Sequence, residues 1–197
     1  MRNLIVVLAI LTFTLSVYGQ GDTETLISGD IESGGYGGPV VKIGQIQGKS
    51  GIFVGGQGGW IINHQFVLGG GGYGLTNDIL MEDIESTEDL YLNFGYGGLF
   101  VEYIIAPKKL LHFTVNSLIG AGGVSFRDKD YEQTDSYDDD SFFVLEPGVS
   151  LALNLHKHIR ITLGGTYRYI TGVDLEGTSN SDLSCATFEV RLKFGSF

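Results

Sequence analysis

The stretch "CATFEVRLKF", residues 185–194, alternates apolar and polar side chains without an exception after its first residue. The apolar positions are Ala186, Phe188, Val190, Leu192 and Phe194, and the polar positions are Thr187, Glu189, Arg191 and Lys193. This period of two predicts a β-strand whose two faces meet different surroundings.

Two segments upstream repeat the pattern. "IRITLGGTYRYI" (159–170) places Arg160 and Arg168 on its polar face, and "FFVLEPGVSLALNL" (142–155) places Glu146 there. Five more strands are predicted at 36–46, 50–61, 66–75, 89–105 and 110–126. Each is near or above the roughly 9–11 residues that a tilted membrane strand needs. We therefore predict an all-β fold, an eight-stranded antiparallel up-and-down transmembrane β-barrel.

Two places disturb this alternation. Glu102 shares its face with Leu92 and Phe94, which predicts a bulge or a register shift at Gly97–Gly98. Pro147 lacks a backbone donor, so we expect a second bulge there, next to Gly148.

The connections between the strands differ in length and charge. Those at 76–88, 127–140 and 171–184 are long, and the short ones contain Lys108, Lys109 and Lys157. The long connections hold fifteen acidic residues: Asp78, Glu82, Asp83, Glu85, Glu88, Asp128, Asp130, Glu132, Asp135, Asp138, Asp139, Asp140, Asp174, Glu176 and Asp182. Outer-membrane barrels have short periplasmic turns and longer external loops, so we expect the acidic loops outside.

The charged side chains of the last three strands predict a filled lumen. A cation facing lipid at the bilayer midplane costs about 2–4 kcal/mol, and eight strands leave an interior just wide enough for side chains. We expect a lumen ionic cluster and a polar plug, formed by Glu146, Arg160, Arg168, Glu189, Arg191 and Lys193, with Glu102 and His112 as further candidates. The alternative is that these charges form the wet face of an open sheet.

Glycine is unusually frequent, with 31 residues in 197, and "GGQGGWIINHQFVLGGGGYG" (55–74) holds nine of them in twenty positions. In a narrow barrel glycine relieves crowding and permits sharp curvature. Aromatic residues near the strand ends predict interfacial girdles. They are Trp60, Tyr73, Tyr91, Tyr96, Tyr103, Tyr167 and Tyr169.

The first residues, "MRNLIVVLAILTFTLSVYGQ", combine Arg2 with an apolar run from Leu4 to Val17. That run is shorter than the roughly 20 residues of a membrane-spanning helix, so we predict a signal peptide at 1–19, with an uncleaved anchor as the alternative. A flexible segment at 20–35 and the barrel at 36–197 complete the predicted organisation.

Several other functions find little support. The net charge of −11 disfavours nucleic-acid binding, and the single cysteine, Cys185, excludes an internal disulfide. Gly69, Gly71 and Gly74 match the spacing of a dinucleotide loop, but the helix that such a loop requires does not follow. The four histidines show no third metal ligand, so no metal or cofactor is expected. A further hypothesis is that Asp135, Asp138, Asp139 and Asp140 bind Ca²⁺, which would bridge these acids to lipopolysaccharide phosphates.

The stretch "GGWIINHQFVLGGGGYGLTND" and the strand pattern over 34–197 resemble the small eight-stranded outer-membrane barrels of Gram-negative bacteria, with OmpA-like and OmpX-like architecture. Phe197 resembles the terminal aromatic used in barrel assembly, although it is out of register with Phe194. The resemblance implies an outer-membrane location, contact with membrane lipid and lipopolysaccharide, and recognition by the barrel assembly machinery.

The resulting hypothesis is a non-enzymatic, monomeric barrel, membrane-anchored, with acidic surface loops for a structural role or for binding a surface protein partner. Strands 4 to 6 are longer than the bilayer requires and offer such a partner a sheet edge. One alternative is a soluble exported ligand-binding barrel, which requires an apolar lumen and a polar exterior. Another is an enzyme that modifies outer-membrane lipid, which requires histidine, serine and acidic side chains converging at one rim.

Overall fold

The computed structural model describes residues 31–80, 90–127, 137–175 and 177–197. These ranges contain eight β-strands: β1 (Ser33–Ile46), β2 (Lys49–Ile62), β3 (Phe66–Leu75), β4 (Tyr91–Ile105), β5 (Leu111–Arg127), β6 (Tyr137–His156), β7 (Ile159–Thr171) and β8 (Cys185–Ser196). A four-residue helix, α1 (Asn180–Leu183), precedes β8. Within the described ranges, no helix has the length and apolar character needed to span a bilayer.

The eight strands form one closed antiparallel barrel in which each strand pairs with its neighbours in the sequence. The barrel closes where β1 meets β8, along a ladder that runs from Gly35↔Ser196 to Ile43↔Phe188. The predicted fold class, an eight-stranded up-and-down barrel, is confirmed.

The observed strands extend beyond several predicted boundaries. β1 begins at Ser33 rather than at 36, and β6 begins at Tyr137 rather than at 142. The early part of β6 is acidic, so apolar alternation gave no signal there, yet it pairs with β5 through Phe126↔Tyr137. The predicted signal peptide and the rest of the N-terminal segment up to residue 30 lie outside the described residues.

The two ends of the barrel differ. At one end, which we call the turn end, short turns join β2 to β3, β4 to β5 and β6 to β7. At the other, the loop end, the chain runs from β3 to β4, from β5 to β6 and from β7 to β8 through longer connections, and from β1 to β2 through Gln47 and Gly48. Gln47 there lies against the last connection, because its backbone N–H donates to the carbonyl of Asp182.

Side chains alternate between the lumen and the exterior along every strand. In β8, Glu189 and Arg191 are buried inside the barrel, whereas Phe188 between Thr187 and Glu189 is 52% exposed on the outside. In β7, likewise, Arg160 is buried inside the barrel and Leu163 is exposed on the outside. The polar face predicted for the last three strands is therefore the interior face, and the apolar face is the outer one.

The two predicted bulges do not occur. β4 pairs with β3 and β5 in continuous register through Gly97 and Gly98. Pro147 stays in register with Ser117 of β5, and on the β7 side the pairing is interrupted between Leu145↔Tyr169 and Gly148↔Thr166 without a shift. The missing donor of proline thus falls in a gap of the ladder. The register shifts lie elsewhere, at Ser125/Phe126 and at Asn154/His156.

Interior glycines let the strands of this narrow wall approach closely. A Cβ atom on Gly69, which faces the lumen, would lie 2.0 Å from the carbonyl oxygen of Gly58. On exterior Gly72 in the same strand, a Cβ atom would lie no closer than 3.8 Å to its nearest neighbour, the carbonyl oxygen of Tyr96. Position 69 therefore requires glycine for steric reasons, whereas position 72 does not.

The aromatic residues divide between the two faces. Trp60, Tyr103, Tyr167 and Tyr169 are exposed on the outer surface near the strand ends, where interfacial girdles occur. Tyr73 and Tyr96 were expected there too, but both are 5% exposed and point into the lumen. They share the face of β3 and β4 that carries the interior side chains.

Candidate functional site

Buried side chains point into the lumen, and toward the loop end they are apolar. Phe94 stacks on Phe142 with ring centroids 5.1 Å apart, and Phe53 meets the edge of Phe94 at 5.9 Å. The buried cluster consists of Val40, Ile46, Phe53, Tyr73, Ile79, Leu90, Leu92, Phe94, Tyr96, Phe100, Leu118, Val124, Phe126, Phe142, Val144, Ile170, Leu175 and Leu183. This explains why Glu102 shares a face with apolar residues: all of them face inward. The interior is therefore not polar throughout.

The connection between β7 and β8 closes the loop end. Leu183 of α1 is fully buried in the apolar cluster, together with Leu175 from the same connection and Ile79 from the connection after β3. Gln47 secures this cap, because its side-chain amide donates to the carbonyl of Gly177 at 3.0 Å.

Next to the apolar cluster, six buried charged residues form one continuous chain of ion pairs. Lys42 Nζ lies 2.8 Å from Glu146 Oε2 and 3.8 Å from Glu189 Oε2. Arg191 NH2 lies 2.6 Å from Glu189 Oε1, and Arg191 NH1 lies 3.0 Å from Glu102 Oε2.

The chain ends at Lys193, whose Nζ lies 2.6 Å from Glu102 Oε1. The order is Glu146, Lys42, Glu189, Arg191, Glu102, Lys193, so that acidic and basic groups alternate. We call this set the ion chain. Its three cations and three carboxylates balance when all six are ionised.

Neutral side chains add hydrogen bonds to the ion chain, although the buried Nε of Arg191 has no partner among the described residues. Thr166 donates to Glu146 at 2.5 Å, and Ser150 accepts from Arg191 at 2.6 Å. The Lys42 ammonium also lies 3.7 Å from the centre of the Tyr73 ring, a cation–π contact. These ion pairs and hydrogen bonds allow the charges to be buried, because an unpaired buried charge is very costly.

The ion chain differs from the cluster that the sequence predicts. Glu146, Glu189, Arg191 and Lys193 lie in it, and Glu102, a further candidate, links Arg191 to Lys193. Lys42 was missed, although its membrane strand contains no other charged residue and a charge there must face inward. The requirement that a charge in a membrane strand face the lumen would have identified Lys42 from the sequence.

Arg168 and Arg160 lie outside the ion chain, and in the described part of the protein no carboxylate is within ion-pairing distance of either. Arg168 is at the loop end, where Nε donates to the carbonyl of Leu183 at 2.9 Å and NH2 to that of Gln45 at 3.0 Å. Its guanidinium lies 4.5 Å from the centre of the Phe53 ring. It therefore fastens the α1 connection rather than neutralising an acid.

Arg160 lies at the turn end, stacked on Phe197 with its Cζ 3.9 Å from the ring centre. Phe197 also stacks against Tyr36, at 6.1 Å between ring centroids. The parity shift of Phe197 relative to Phe194 thus directs its ring into the mouth of the barrel, away from the lipid face.

His112, the other further candidate, is also buried at this end. Its Nδ1 lies 3.2 Å from the carbonyl oxygen of Lys109, and its Nε2 has no hydrogen-bond partner within the described part of the chain. It contacts no member of the ion chain through a hydrogen bond.

The described residues hold no group of three or more His, Cys, Asp or Glu side chains that could bind a metal ion. Of the four aspartates in the Ca²⁺ hypothesis, Asp135 and the side chain of Asp138 lie outside the described residues, and Asp140 accepts a hydrogen bond from the backbone of Asp174. Gly69, Gly71 and Gly74 lie within β3, so they form part of the barrel wall instead of a phosphate-binding turn.

Comparison with known proteins gives matches in structure alone. No protein-family model matches the chain, and no curated protein matches it in sequence. The structure of Neisserial surface protein A (NspA) is similar over 85% of this chain and 99% of its own, at 10% sequence identity and a TM-score of 0.57. The N-terminal β-barrel domain of Pseudomonas aeruginosa OprF is similar over 81% of this chain and 96% of its own, at 9% identity and a TM-score of 0.50. Both are small outer-membrane barrels of eight strands, and this chain has their fold.

Proposed function

We propose that the chain is a non-enzymatic barrel anchored in the outer membrane, which holds a rigid wall in the bilayer and presents acidic loops at one end for interactions. The observation that carries this proposal is the separation of faces. Large apolar side chains cover the outside of a closed barrel, while six charges pair with one another inside it.

The exterior fits a lipid environment. Val149 is 62% exposed, Phe113 63% and Leu111 53%, and such a continuous apolar surface is unfavourable in water. The proposed location follows from this surface, from the similar outer-membrane structures and from the predicted signal peptide at 1–19. Membrane lipid and lipopolysaccharide are then the expected neighbours of the wall.

The two alternatives fit less well. A soluble ligand-binding barrel needs a polar exterior and an apolar cavity, but here the exterior is apolar and the lumen is filled. A lipid-modifying enzyme with an external site needs a histidine at the loop end. The four histidines of the chain instead lie near the turn end, in the β2–β3 turn, at the start of β5 and beside the β6–β7 turn.

The loop end offers a surface for a protein partner. The ladder between β6 and β7 ends at Phe143↔Thr171, whereas β6 extends back to Tyr137 and stays paired with β5. This extension presents one strand edge and carries Asp139 and Asp140, which favours a partner that pairs with the edge and has a basic surface.

Assembly by the barrel assembly machinery is part of the same proposal. Phe197 faces the mouth of the closed barrel, so recognition through its ring requires that β8 be bound before the barrel closes.

The proposal is tested by fractionation and by the topology of the two ends. We expect the protein in outer-membrane fractions, with faster gel migration unheated than boiled, because the closed barrel resists detergent. An epitope inserted after Gly177, in the loop-end connection, should be detected on intact cells. The matched insertion after Lys157, in the β6–β7 turn, should be detected only after permeabilisation. Recovery in the soluble fraction, or detection of the Lys157 epitope on intact cells, would overturn the proposal.

A further inference from the structure

The mouth of the turn end contains an open cavity of about 430 Å³ that no part of the proposed function uses. Its lining is basic and contains no Asp or Glu. The cationic and titratable groups are His64, Lys108, His156, Lys157 and Arg160, and Phe197 and Asn154 lie among them.

Arg160 distinguishes this cavity from an ordinary basic surface. The residue is 7% exposed, yet no carboxylate of the described chain lies within ion-pairing distance of it, and its guanidinium donates no hydrogen bond to the described residues. Phe197 covers one side of the guanidinium at 3.9 Å. The ring fixes the plane of the guanidinium without using its N–H donors, which leaves them for a ligand in the cavity.

The surroundings favour an anion over a neutral ligand. Lys108 and Lys157 are exposed on the rim and add two flexible positive charges. Glu32 pairs with His64 at the edge of the cavity, and buried Glu102 interacts electrostatically with Arg160 without forming an ion pair with it. Two residues deeper than Arg160 on the same face, the Thr162 hydroxyl is fully buried and has no hydrogen-bond partner among the residues that the structure describes.

We propose that this turn-end cavity binds a phosphate group, with Arg160 as the central ligand and Lys108 and Lys157 as the outer ones. A planar guanidinium matches two oxygens of a phosphate, and lysine adds a point charge. The phosphate can belong to a free anion or to the headgroup of a lipid in the adjacent leaflet. Both place the same chemistry in the cavity, and the experiment separates them.

The test uses the full chain folded in amine oxide micelles, a detergent that contains no phosphate. Inorganic phosphate is titrated at constant ionic strength, and the NMR signals of the Arg160 Nε–H and of the β6–β7 turn amides are followed. A second titration uses dihexanoyl phosphatidic acid below its own micelle concentration. Saturation with inorganic phosphate identifies a site open to the free anion, and saturation with the lipid alone identifies a headgroup site. Either result supports the proposal.

Arg160→Gln should weaken the observed binding by about tenfold or more, as expected for loss of a charge-assisted hydrogen bond. Lys49→Gln removes the same charge from the loop end, where Lys49 donates to the carbonyl of Leu80, and should leave the affinity unchanged. Heat-modifiable migration establishes that each variant is folded.

If Arg160→Gln fails to fold, the double variant Lys108→Gln/Lys157→Gln takes its place, because both side chains are exposed and weaker binding is expected there as well. The proposal is overturned if neither titration saturates. It is also overturned if the affinity falls equally in the Lys49→Gln protein, or if it is unchanged in every variant of the cavity.

Discussion

At the scale of single residues, the position of each glycine relative to the wall decides what it contributes. Gly69 and Gly72 belong to the same strand and the same glycine run, but the first faces the lumen and the second the exterior. Composition therefore signals a crowded wall without showing which glycines relieve the crowding. The close approach of β2 to β3 around Gly58 and Gly69 identifies Gly69 as one of the glycines that relieve the crowding.

We expect Gly69→Ala to destabilise the barrel by about 1–3 kcal/mol, the range of an overpacked site, because the added methyl meets the carbonyl oxygen of Gly58. Gly72→Ala is the matched control and should be nearly neutral. Urea unfolding of both variants in lipid vesicles, followed by tryptophan fluorescence, measures the difference. Equal stability of the two variants would contradict this assignment of faces.

The sequence allowed the barrel and four members of the ion chain to be predicted because charges in β6, β7 and β8 stand against strictly apolar faces. In β1 and β4 the sequence did not reveal the lumen face as clearly. Lys42 lies between Val41 and Ile43 and two residues from Val40, so both faces of β1 look apolar.

Which cation pairs with which carboxylate depends on the stagger around the closed barrel, and strands remote in sequence set that stagger. Arg160 and Arg168 share the lumen face with Glu146 and Glu189, but neither guanidinium lies within ion-pairing distance of a carboxylate in the described residues.

At the scale of strands, the ion chain joins elements that are not neighbours in the sheet. Glu102 of β4 reaches Arg191 and Lys193 of β8 across the lumen, and Lys42 of β1 reaches Glu146 of β6. These contacts supplement the ladders between adjacent strands and keep the barrel from flattening.

Glu102→Gln should lower the free energy of unfolding by about 3–5 kcal/mol, because it leaves Lys193 buried without a charged partner. Adding Lys193→Met to this variant removes the orphaned cation and should restore part of the loss. Glu32→Gln, at an exposed pair with His64, serves as the control and should change stability by less than about 0.5 kcal/mol. Urea unfolding at neutral pH provides the comparison, and a double variant less stable than Glu102→Gln would refute the pairing.

The short helix α1 has its own role, since it carries the side chain that closes the loop end. Leu183→Ala removes a fully buried side chain from the apolar cluster and should loosen the connection at 172–184. We expect faster proteolysis within that connection while the strands remain protected. Ser181→Ala, at an exposed position of the same helix, should be cleaved at the original rate. Identical cleavage of the two variants would show that Leu183 does not hold the cap.

At the scale of the whole molecule, the filling of the lumen determines permeability. The apolar cluster with its α1 cap and the ion chain occupy the interior of the described part of the barrel. We therefore expect no stepwise conductance when the folded protein is inserted into planar bilayers. Insertion is verified by protease protection of the same sample. Steady single-channel steps from a monomeric, heat-modifiable preparation would show that the interior opens.

The alternation of charges along the lumen also bears on how the chain enters a bilayer. The six groups come from β1, β4, β6 and β8, so a sheet that lacks any of these strands exposes at least one ion without its counterpart. In hydrocarbon such a half-assembled intermediate is heavily penalised. We therefore expect insertion to be an all-or-none event, in which β1 pairs with β8 at the same time as the six charges pair with one another.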